Sequence, residues 1–186
     1  MEDAPVDWWA EARAAALVTV FVALLGAVVG VVWHAVAPPL DAHAAFANLD
    51  EATKPLIGDD LWLAMLGAIA GAICAAAVAV SAPYASGGPG AQVGLVVGGV
   101  VAMLVADRVG YLIGLPALRD TVNATYPQAS PDGVKSVVSL LAFKVRAHAV
   151  LLTWPMASIV VSAAINWVRA INQPTLRVIP SYPGSP

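Results

Sequence analysis

Two adjacent charged residues, Asp107 and Arg108, follow a long stretch of the chain (residues 61–106) that contains no Asp, Glu, Lys or Arg. Ionisable side chains beside so long an apolar stretch often mark a proton or ion path or a binding contact, because they are costly to bury. The pair can also be structural. Arg108 can extend toward lipid head groups while Asp107 finds a donor on a neighbouring segment, since adjacent helical residues do not face each other. We favour the structural interpretation and keep the other two as alternatives.

Histidines are the other side chains that could titrate near neutral pH or bind a metal. His34 lies one helical turn beyond Gly30, and His148 opens the last apolar segment. No HExxH or comparable ligand spacing surrounds His34, His43 or His148, so we expect no metal site. The sequence also lacks GxSxG, P-loop and strand-associated GxGxxG motifs. We therefore expect no cofactor and no enzyme activity.

Small residues four positions apart form the most repeated local pattern, and every long apolar segment has such a pair. The pairs are Gly26 and Gly30, Gly67 and Gly71, Gly94 and Gly98, Gly110 and Gly114, and Ser158 and Ser162. Helices in a bilayer associate by close backbone approach and interhelical hydrogen bonds, both of which small residues permit. We predict that these residues pack the helices of this chain together, with docking onto another protein as the alternative. Asn166 continues the Ser158 and Ser162 ridge, which we expect to hydrogen-bond neighbouring helices rather than line a pore.

The composition indicates that membrane-spanning segments must position these residues. Hydrophobic residues make up 60% of the 186 and charged residues only 11%, against roughly 45–50% and about 25% in soluble domains. Lipid is therefore the expected solvent. The net charge is −3 and the nine Lys and Arg are scattered along the chain, so nucleic acid is not an expected partner. The single cysteine, Cys74, excludes an intramolecular disulfide.

The uncharged stretches predict four transmembrane helices, at about residues 15–37, 61–82, 92–114 and 147–168. Each is long enough to cross a hydrocarbon core of about 30 Å. The expected fold is an all-α membrane protein, a four-transmembrane-helix bundle with an interfacial amphipathic segment before the last helix. It forms one membrane domain over residues 1–170, and an extended Pro-rich tail follows at 171–186.

The connections between these helices differ in character. Residues 38–60 form an acidic loop, in which Asp59 or Asp60 is placed to cap the second helix. A Pro/Gly-rich turn follows at 83–90. The first half of the loop at 115–146 is turn-rich. In its second half, residues 134–146, apolar residues recur at helical spacing, although the alternation at 143–150 resembles a short strand. We favour an amphipathic interfacial helix there.

Aromatic and proline positions suggest further detail. Trp33 lies near the end of the first predicted helix, and Trp154 and Trp167 lie near the ends of the last. Tryptophan favours the membrane–water interface, so we expect these rings there. Pro155 falls inside the last predicted helix and should kink it, because its missing N–H removes one helical hydrogen bond.

Lys and Arg placement indicates the orientation. Arg13 precedes the first helix, and no Lys or Arg follows that helix closely, which places the N-terminus in the cytoplasm by the positive-inside rule. Four crossings return the C-terminus, with Arg169 and Arg177, to the same side. We expect a multi-pass protein of the inner (plasma) membrane with both termini cytoplasmic.

Three short segments carry a resemblance to a known family: IGDDLW at 57–62, LGAIAG at 66–71 and LTWP at 152–155, with a Gly-rich third helix between. Over residues 15–170 the chain resembles a family of small four-span membrane proteins from actinobacteria that is known only as a domain of unknown function. The resemblance implies no catalytic residues. Related bacteria join a menaquinol-oxidising cytochrome complex and a terminal oxidase with small accessory membrane subunits, and the resemblance implies that respiratory supercomplex as a candidate partner.

These observations favour one function and leave a rival. The leading hypothesis is a non-catalytic accessory subunit that contacts membrane lipids and packs on other membrane protein subunits. The alternative is a small transporter or channel component that uses the intramembrane residues Asp107, Arg108 and His34.

Overall fold

The computed structural model describes residues 7–37, 49–81, 89–128, 130–142, 145 and 148–172. Its elements are α1 (Trp8–Val36), α2 (Leu49–Val80), α3 (Pro89–Thr125), α4 (Pro131–Leu141), a 3₁₀ helix (His148–Leu152) and α5 (Thr153–Asn172). The described chain is 93% helical without strands, and it contains four segments long and apolar enough to cross a membrane. The predicted all-α four-helix bundle is therefore confirmed, and the chain is a multi-pass membrane protein.

α1 begins at a cap and ends before a proline. The side chain of Asp7 accepts hydrogen bonds from the backbone N–H groups of Trp9 and Ala10, at 3.1 and 3.3 Å. These are two of the donors that a first helical turn leaves without helical partners. At the other end Ala37 is extended, with φ −65° and ψ 139°, because the residue before a proline disfavours helical backbone.

α1 and α3 pack side by side in the same direction. Gly26 of α1 lies against Ala102 of α3, and one turn later Gly30 lies against Ala106. Residue numbers therefore rise together along the two helices. Crossings one and three of a four-helix membrane protein must share a direction, so this contact agrees with the expected topology.

α2 and α5 form the second parallel pair. Gly71 of α2 lies against Trp154, and near the ends of the same two helices the guanidinium of Arg169 donates a hydrogen bond to the carbonyl oxygen of Ala79. We call the membrane side where α1 and α3 begin and α2 and α5 end the first face. The opposite side, where α1 ends and α2 begins, is the second face.

α3 continues well beyond its predicted end at residue 114. It has 37 residues, about 55 Å at a rise of about 1.5 Å per residue, whereas a hydrocarbon core is about 30 Å thick. The prediction that residues 115–125 are turn-rich loop is wrong. Pro116 lies inside the helix, where it lacks an N–H donor and its ring crowds the carbonyl group one turn earlier. Val122, in the extension, is 1% exposed, so tertiary packing holds this part of the helix.

α2 likewise starts earlier than predicted. It begins at Leu49, so Asp59 and Asp60 lie well inside the helix, and the prediction that one of them caps its N-terminus is wrong. Both carboxylate residues are buried, at 5% and 9% exposure. Residues 49–60, expected in the acidic loop, are therefore helical, because the helix continues past the charged residues that mark the apolar boundary.

The segment before the last crossing is helical. α4 covers Pro131–Leu141, shorter than the predicted 134–146, and begins where the Ser130 side chain accepts a hydrogen bond from the Gly133 N–H at 3.1 Å. Of residues 143–150, where the alternation suggested a strand, 148–150 belong to a 3₁₀ helix and 145 is not in a strand, while 143, 144, 146 and 147 lie outside the described residues. α4 packs against α3, which buries Val138.

The last crossing, predicted as one kinked helix at 147–168, has two parts. A 3₁₀ helix at His148–Leu152 leads into α5, and Pro155 is the third residue of that α-helix. Proline is tolerated in a first turn because the N–H groups there have no helical acceptor. The irregularity therefore lies at the junction of the two helices rather than at a kink within α5.

Small residues, two tryptophans and a few larger apolar residues such as Leu63, Leu95 and Met103 fill the interior, while most large apolar residues cover the outside. The exposed side chains include Leu17, Phe21, Leu24, Ile69 and Ile73. This distribution is expected in lipid, where large apolar side chains gain nothing from burial and small ones allow close packing. Trp33 and Trp154 are both 0% exposed, so their rings pack inside the bundle, whereas Trp167 is 71% exposed.

Several predictions fall on residues outside the described ranges. They are the prolines that follow α1, most of the turn at 83–90, His43, and residues 173–186 of the tail. Residues 171 and 172, which were assigned to the tail, belong to α5.

Candidate functional site

Glycines allow α1 and α3 to meet at backbone distance in the second half of α1. A Cβ atom built on Gly26 would lie 2.3 Å from the carbonyl oxygen of Ala102, and one on Gly30 would lie 2.6 Å from that of Ala106. Both distances are too short for any side chain, so the two helices could not come this close with alanine at either position. We call this contact the α1–α3 seam.

In the other half of the seam the glycines come from α3. A Cβ on Gly94 would lie 2.7 Å from the carbonyl oxygen of Ala15, and one on Gly98 would lie 3.0 Å from the Cα of Thr19. The Thr19 hydroxyl lies 3.4 Å from the Gly94 carbonyl oxygen and donates to it. Small buried residues recur at every fourth position of α3: Gly90, Gly94, Gly98, Ala102, Ala106 and Gly110. This spacing is typical of close right-handed helix pairs.

Gly67 and Gly71 place α2 against the start of α5. A Cβ on Gly71 would lie 2.4 Å from the Trp154 carbonyl oxygen, and the buried Ser158 hydroxyl donates to the Gly71 carbonyl oxygen at 3.1 Å. A Cβ on Gly67 would lie 2.7 Å from the sulfur of Met103. These contacts bring together three helices, α2, α3 and α5.

Trp154 occupies the centre of that junction. Its ring lies against Gly71 on one helix and Gly99 on another, where an added Cβ would be 3.1 and 3.0 Å from its Cδ1 atom. No hydrogen-bond acceptor for its indole N–H is found among the described residues. The large ring therefore fills the space that glycine leaves on two neighbouring helices, and it contributes packing.

The remaining predicted packing residues have different surroundings. Gly110 is buried, and Gly114 is half-buried. Ser162 is 7% exposed, yet the described part of the chain offers its hydroxyl no hydrogen-bond partner. Ser162 therefore differs from Ser158, which is bonded within the bundle.

Ser162 faces a cleft of about 510 Å³ between the first half of α3 and the second half of α5. We call it the α3–α5 cleft. Its lining includes Gln92, Val93, Val96, Ser162, Ala163 and Asn166. Three of these side chains can hydrogen-bond, and they lie in segments that were predicted from their hydrophobicity to cross the membrane.

Asp107 and Arg108 lie near the second face and point to different surroundings. The Asp107 carboxylate accepts a hydrogen bond of 2.9 Å from the backbone N–H of Val145. Arg108 is exposed. With Tyr111 and Ser139 they line a polar cavity of about 140 Å³ between α3 and α4. Asp107 thus ties the segment before the last crossing to α3.

His34 and Trp33 mark the end of α1 at the second face. His34 is half-buried, and the indole N–H of the neighbouring Trp33 donates to the carbonyl oxygen of Asp59 at 2.8 Å. This buried bond joins α1 to α2. His34 does not line the cavity beside Asp107.

Two charged residues at the first face were not identified from the sequence. Glu11 accepts a hydrogen bond of 2.6 Å from the N–H of Gly90 in the first turn of α3, and Arg169 donates to Ala79 in the last turn of α2. A carboxylate at a helix N-terminus and a cation at a C-terminus both offset the helix dipole. Neither contact has a local signal, because each joins residues far apart in the sequence.

Within residues 7–37, 49–81, 89–128, 130–142, 145 and 148–172, no group of three or more His, Cys, Asp or Glu could hold a metal ion. Comparison with protein-family models, with curated proteins and with solved structures gave no match to this chain. The functional argument therefore depends on the geometry of the bundle and its surface.

Proposed function

We propose that the chain is a non-catalytic accessory subunit that packs on a larger complex of membrane proteins. The observation that carries this proposal is the α3–α5 cleft. Asn166 is exposed beside it, and the buried hydroxyl of Ser162 has no hydrogen-bond partner among the described residues. Lipid tails cannot hydrogen-bond either group, whereas a helix of another subunit can.

The contacts of the ionisable residues support this proposal over transport. A proton path needs a carboxylate that can exchange protons with a chain of neighbouring groups. One oxygen of the Asp107 carboxylate instead accepts a hydrogen bond from the backbone N–H of Val145, as expected for a structural tie. Arg108 is exposed near the second face, which suits contact with lipid head groups.

The resemblance to actinobacterial four-span proteins names the first assembly to test. We place the chain in the inner membrane beside a respiratory supercomplex of a menaquinol-oxidising cytochrome complex and a terminal oxidase. The bundle would contribute helix-docking surface there.

Extraction of a tagged full-length chain from native membranes in a gentle detergent tests the proposal. We expect the chain to migrate with a larger complex whose subunits mass spectrometry identifies, and a respiratory partner would also bring the visible absorption bands of haem. A matched extraction in a harsh detergent should release the chain alone. Migration as a monomer or homodimer in the gentle detergent would overturn the proposal.

A further inference from the structure

The α3–α5 cleft is a feature that the internal packing of the bundle does not use. The α1–α3 seam and the contact between α2 and α5 use Gly26, Gly30, Gly71, Gly94 and Gly98 and the hydroxyl of Ser158. The cleft lies on the outer side of α3 and α5 and has a volume of about 510 Å³. On the α3 side its lining includes Val93 and Val97, and on the α5 side it includes Ser162 and Asn166.

Ser162 indicates that something polar fills this cleft. Its side chain is more than nine-tenths buried, it lines the cleft, and its oxygen has no hydrogen-bond partner in the described part of the protein. A buried hydroxyl without a partner is unfavourable, and more so where no water can reach it. An occupant with a donor or acceptor at this depth would remove that cost.

We propose that the α3–α5 cleft binds one transmembrane helix of a different membrane protein subunit, with a hydroxyl or carboxamide side chain placed opposite Ser162. This inference rests on the proposed accessory function and names its docking surface. A helix seated against the cleft contacts it along one side, and the small side chain of Ala163 leaves room for its close approach.

A lipid chain fits the polar wall less well than a helix does. Ser162 lies four residues before Asn166, which places it about 6 Å deeper in the membrane along the axis of α5. Head-group and ester oxygens lie nearer the interface, and an acyl chain has no atom that can hydrogen-bond to Ser162. A helix can present a polar side chain at any depth.

A second copy of this chain is also a poor occupant. On the described membrane-spanning parts of α1 and α2, the exposed positions carry apolar residues, and Trp62 is the one of them that can hydrogen-bond through its side chain. These faces offer no hydroxyl or carboxamide to Ser162. The α3–α5 face of a second copy carries Asn166, but a two-fold pair through this face would set cleft against cleft and leave both unfilled. The helix that complements the cleft is therefore expected on another polypeptide.

Photo-crosslinking in native membranes tests the proposal on the full chain. Benzoylphenylalanine replaces Ile159, a large exposed residue that lines the cleft, and in a control it replaces Leu24, an exposed residue of α1. We expect an adduct with a second polypeptide from position 159 and none from position 24. Peptide mapping should place the adduct in a membrane-spanning segment that has Ser, Thr, Asn or Gln within one turn.

Ser162→Ala separates docking from folding. Interhelical hydrogen bonds of about 0.6–2 kcal/mol correspond to about a 3- to 30-fold weaker association with the partner. The purified chain should keep or slightly raise its unfolding temperature, since the variant removes a hydroxyl without a partner. Ala163→Phe, which fills the cleft, should block the adduct formed by the crosslinker at position 159.

The outcomes distinguish this inference from the accessory function itself. If a partner copurifies but crosslinks from position 24 instead of 159, the docking surface is wrong and the accessory function stands. An adduct with lipid alone, or with a second copy of the chain, overturns the helix-docking proposal. If no partner copurifies and neither position gives an adduct with protein, both proposals fail.

Discussion

The carboxylate of Glu11 accepts a hydrogen bond of 2.6 Å from the backbone N–H of Gly90, so the first turn of α1 caps the first turn of α3. A Cβ on Gly90 would lie 2.2 Å from the carbonyl oxygen of Glu11. The absence of a side chain at residue 90 and the acid at residue 11 are therefore parts of one contact. It closes the α1–α3 seam at the first face.

We predict that Glu11→Ala lowers the free energy of unfolding by about 1–2 kcal/mol, because a helix N-terminus loses a charged acceptor. Glu11→Gln keeps an acceptor oxygen without the charge and should cost about half as much. Denaturant titration of the protein in detergent micelles, followed by circular dichroism, measures both. Asp120→Asn, at an exposed position, is the control and should change stability by less than about 0.5 kcal/mol. Equal stability of Glu11→Ala and wild type would show that the cap contributes nothing.

Alanine substitutions along the α1–α3 seam should destabilise the bundle in the order of the space available. The added Cβ would meet backbone at 2.3 Å at Gly26, 2.6 Å at Gly30 and 3.0 Å at Gly98. Overpacking costs about 1–3 kcal/mol, so Gly26→Ala should lie at the upper end and Gly98→Ala near the lower. The same titration in micelles gives this ranking.

Whether Gly26→Ala stabilises or destabilises the bundle is informative by itself. In an open helix, replacing glycine with alanine stabilises by roughly 0.5–1 kcal/mol, because alanine loses less backbone freedom on folding. A stabilising Gly26→Ala would therefore contradict the close contact with Ala102. Ala16→Leu, at an exposed position of α1, serves as a size-increasing control that should be nearly neutral.

Asp107 should act through its acceptor oxygen rather than through its charge. Asp107→Asn can still accept the hydrogen bond from the Val145 N–H, whereas Asp107→Ala cannot. We predict that hydrogen exchange at the Val145 amide, measured by NMR or mass spectrometry, is faster in Asp107→Ala and nearly unchanged in Asp107→Asn. The transport hypothesis predicts a different result, because loss of the charge in Asp107→Asn would abolish an ion flux measured in vesicles. Such a loss, with normal exchange at Val145, would favour transport.

Orientation can be read from single cysteines at the two faces. Asn123 is exposed on the extension of α3 at the second face, and Ala10 is exposed at the start of α1 at the first face. With a cytoplasmic N-terminus, an impermeant maleimide added to intact cells should label Asn123→Cys, and it should label Ala10→Cys only after permeabilisation. Cys74 is buried and should give little background. The reverse pattern would invert the orientation.

The crossings could be predicted from the sequence because each depends on a local property, the length of an uncharged stretch. The partners of each helix could not. The glycine pairs indicate close packing, but nothing local tells that Gly26 meets Ala102 rather than a residue of α2. Trp33 was placed at the interface because its position near the helix end is local, whereas its hydrogen bond to Asp59 depends on how α1 and α2 pack.

The same limit explains the ends of the helices. Pro116 and the charged residues that follow it predict a loop, yet α3 continues to Thr125 with Val122 buried. Packing across the chain stabilises that extension more than Pro116 weakens it. The hydroxyl of Ser162 is the reverse case: the spacing of Ser158, Ser162 and Asn166 indicated a ridge, but only the structure separates the bonded Ser158 from the open Ser162.

Each membrane crossing pairs with the next crossing but one, and this has a consequence for biogenesis. α1 enters the bilayer before α3 has been synthesised, and α2 enters before α5. The glycine faces of α1 and α2 therefore have no partner helix until later in translation. In that interval the exposed backbone of α1 depends on lipid or on the insertion machinery for cover. Truncation after α2 would therefore leave two helices that share the Trp33–Asp59 hydrogen bond but lack the partners of their glycine faces, and the quality-control proteases of the membrane should remove such a fragment quickly.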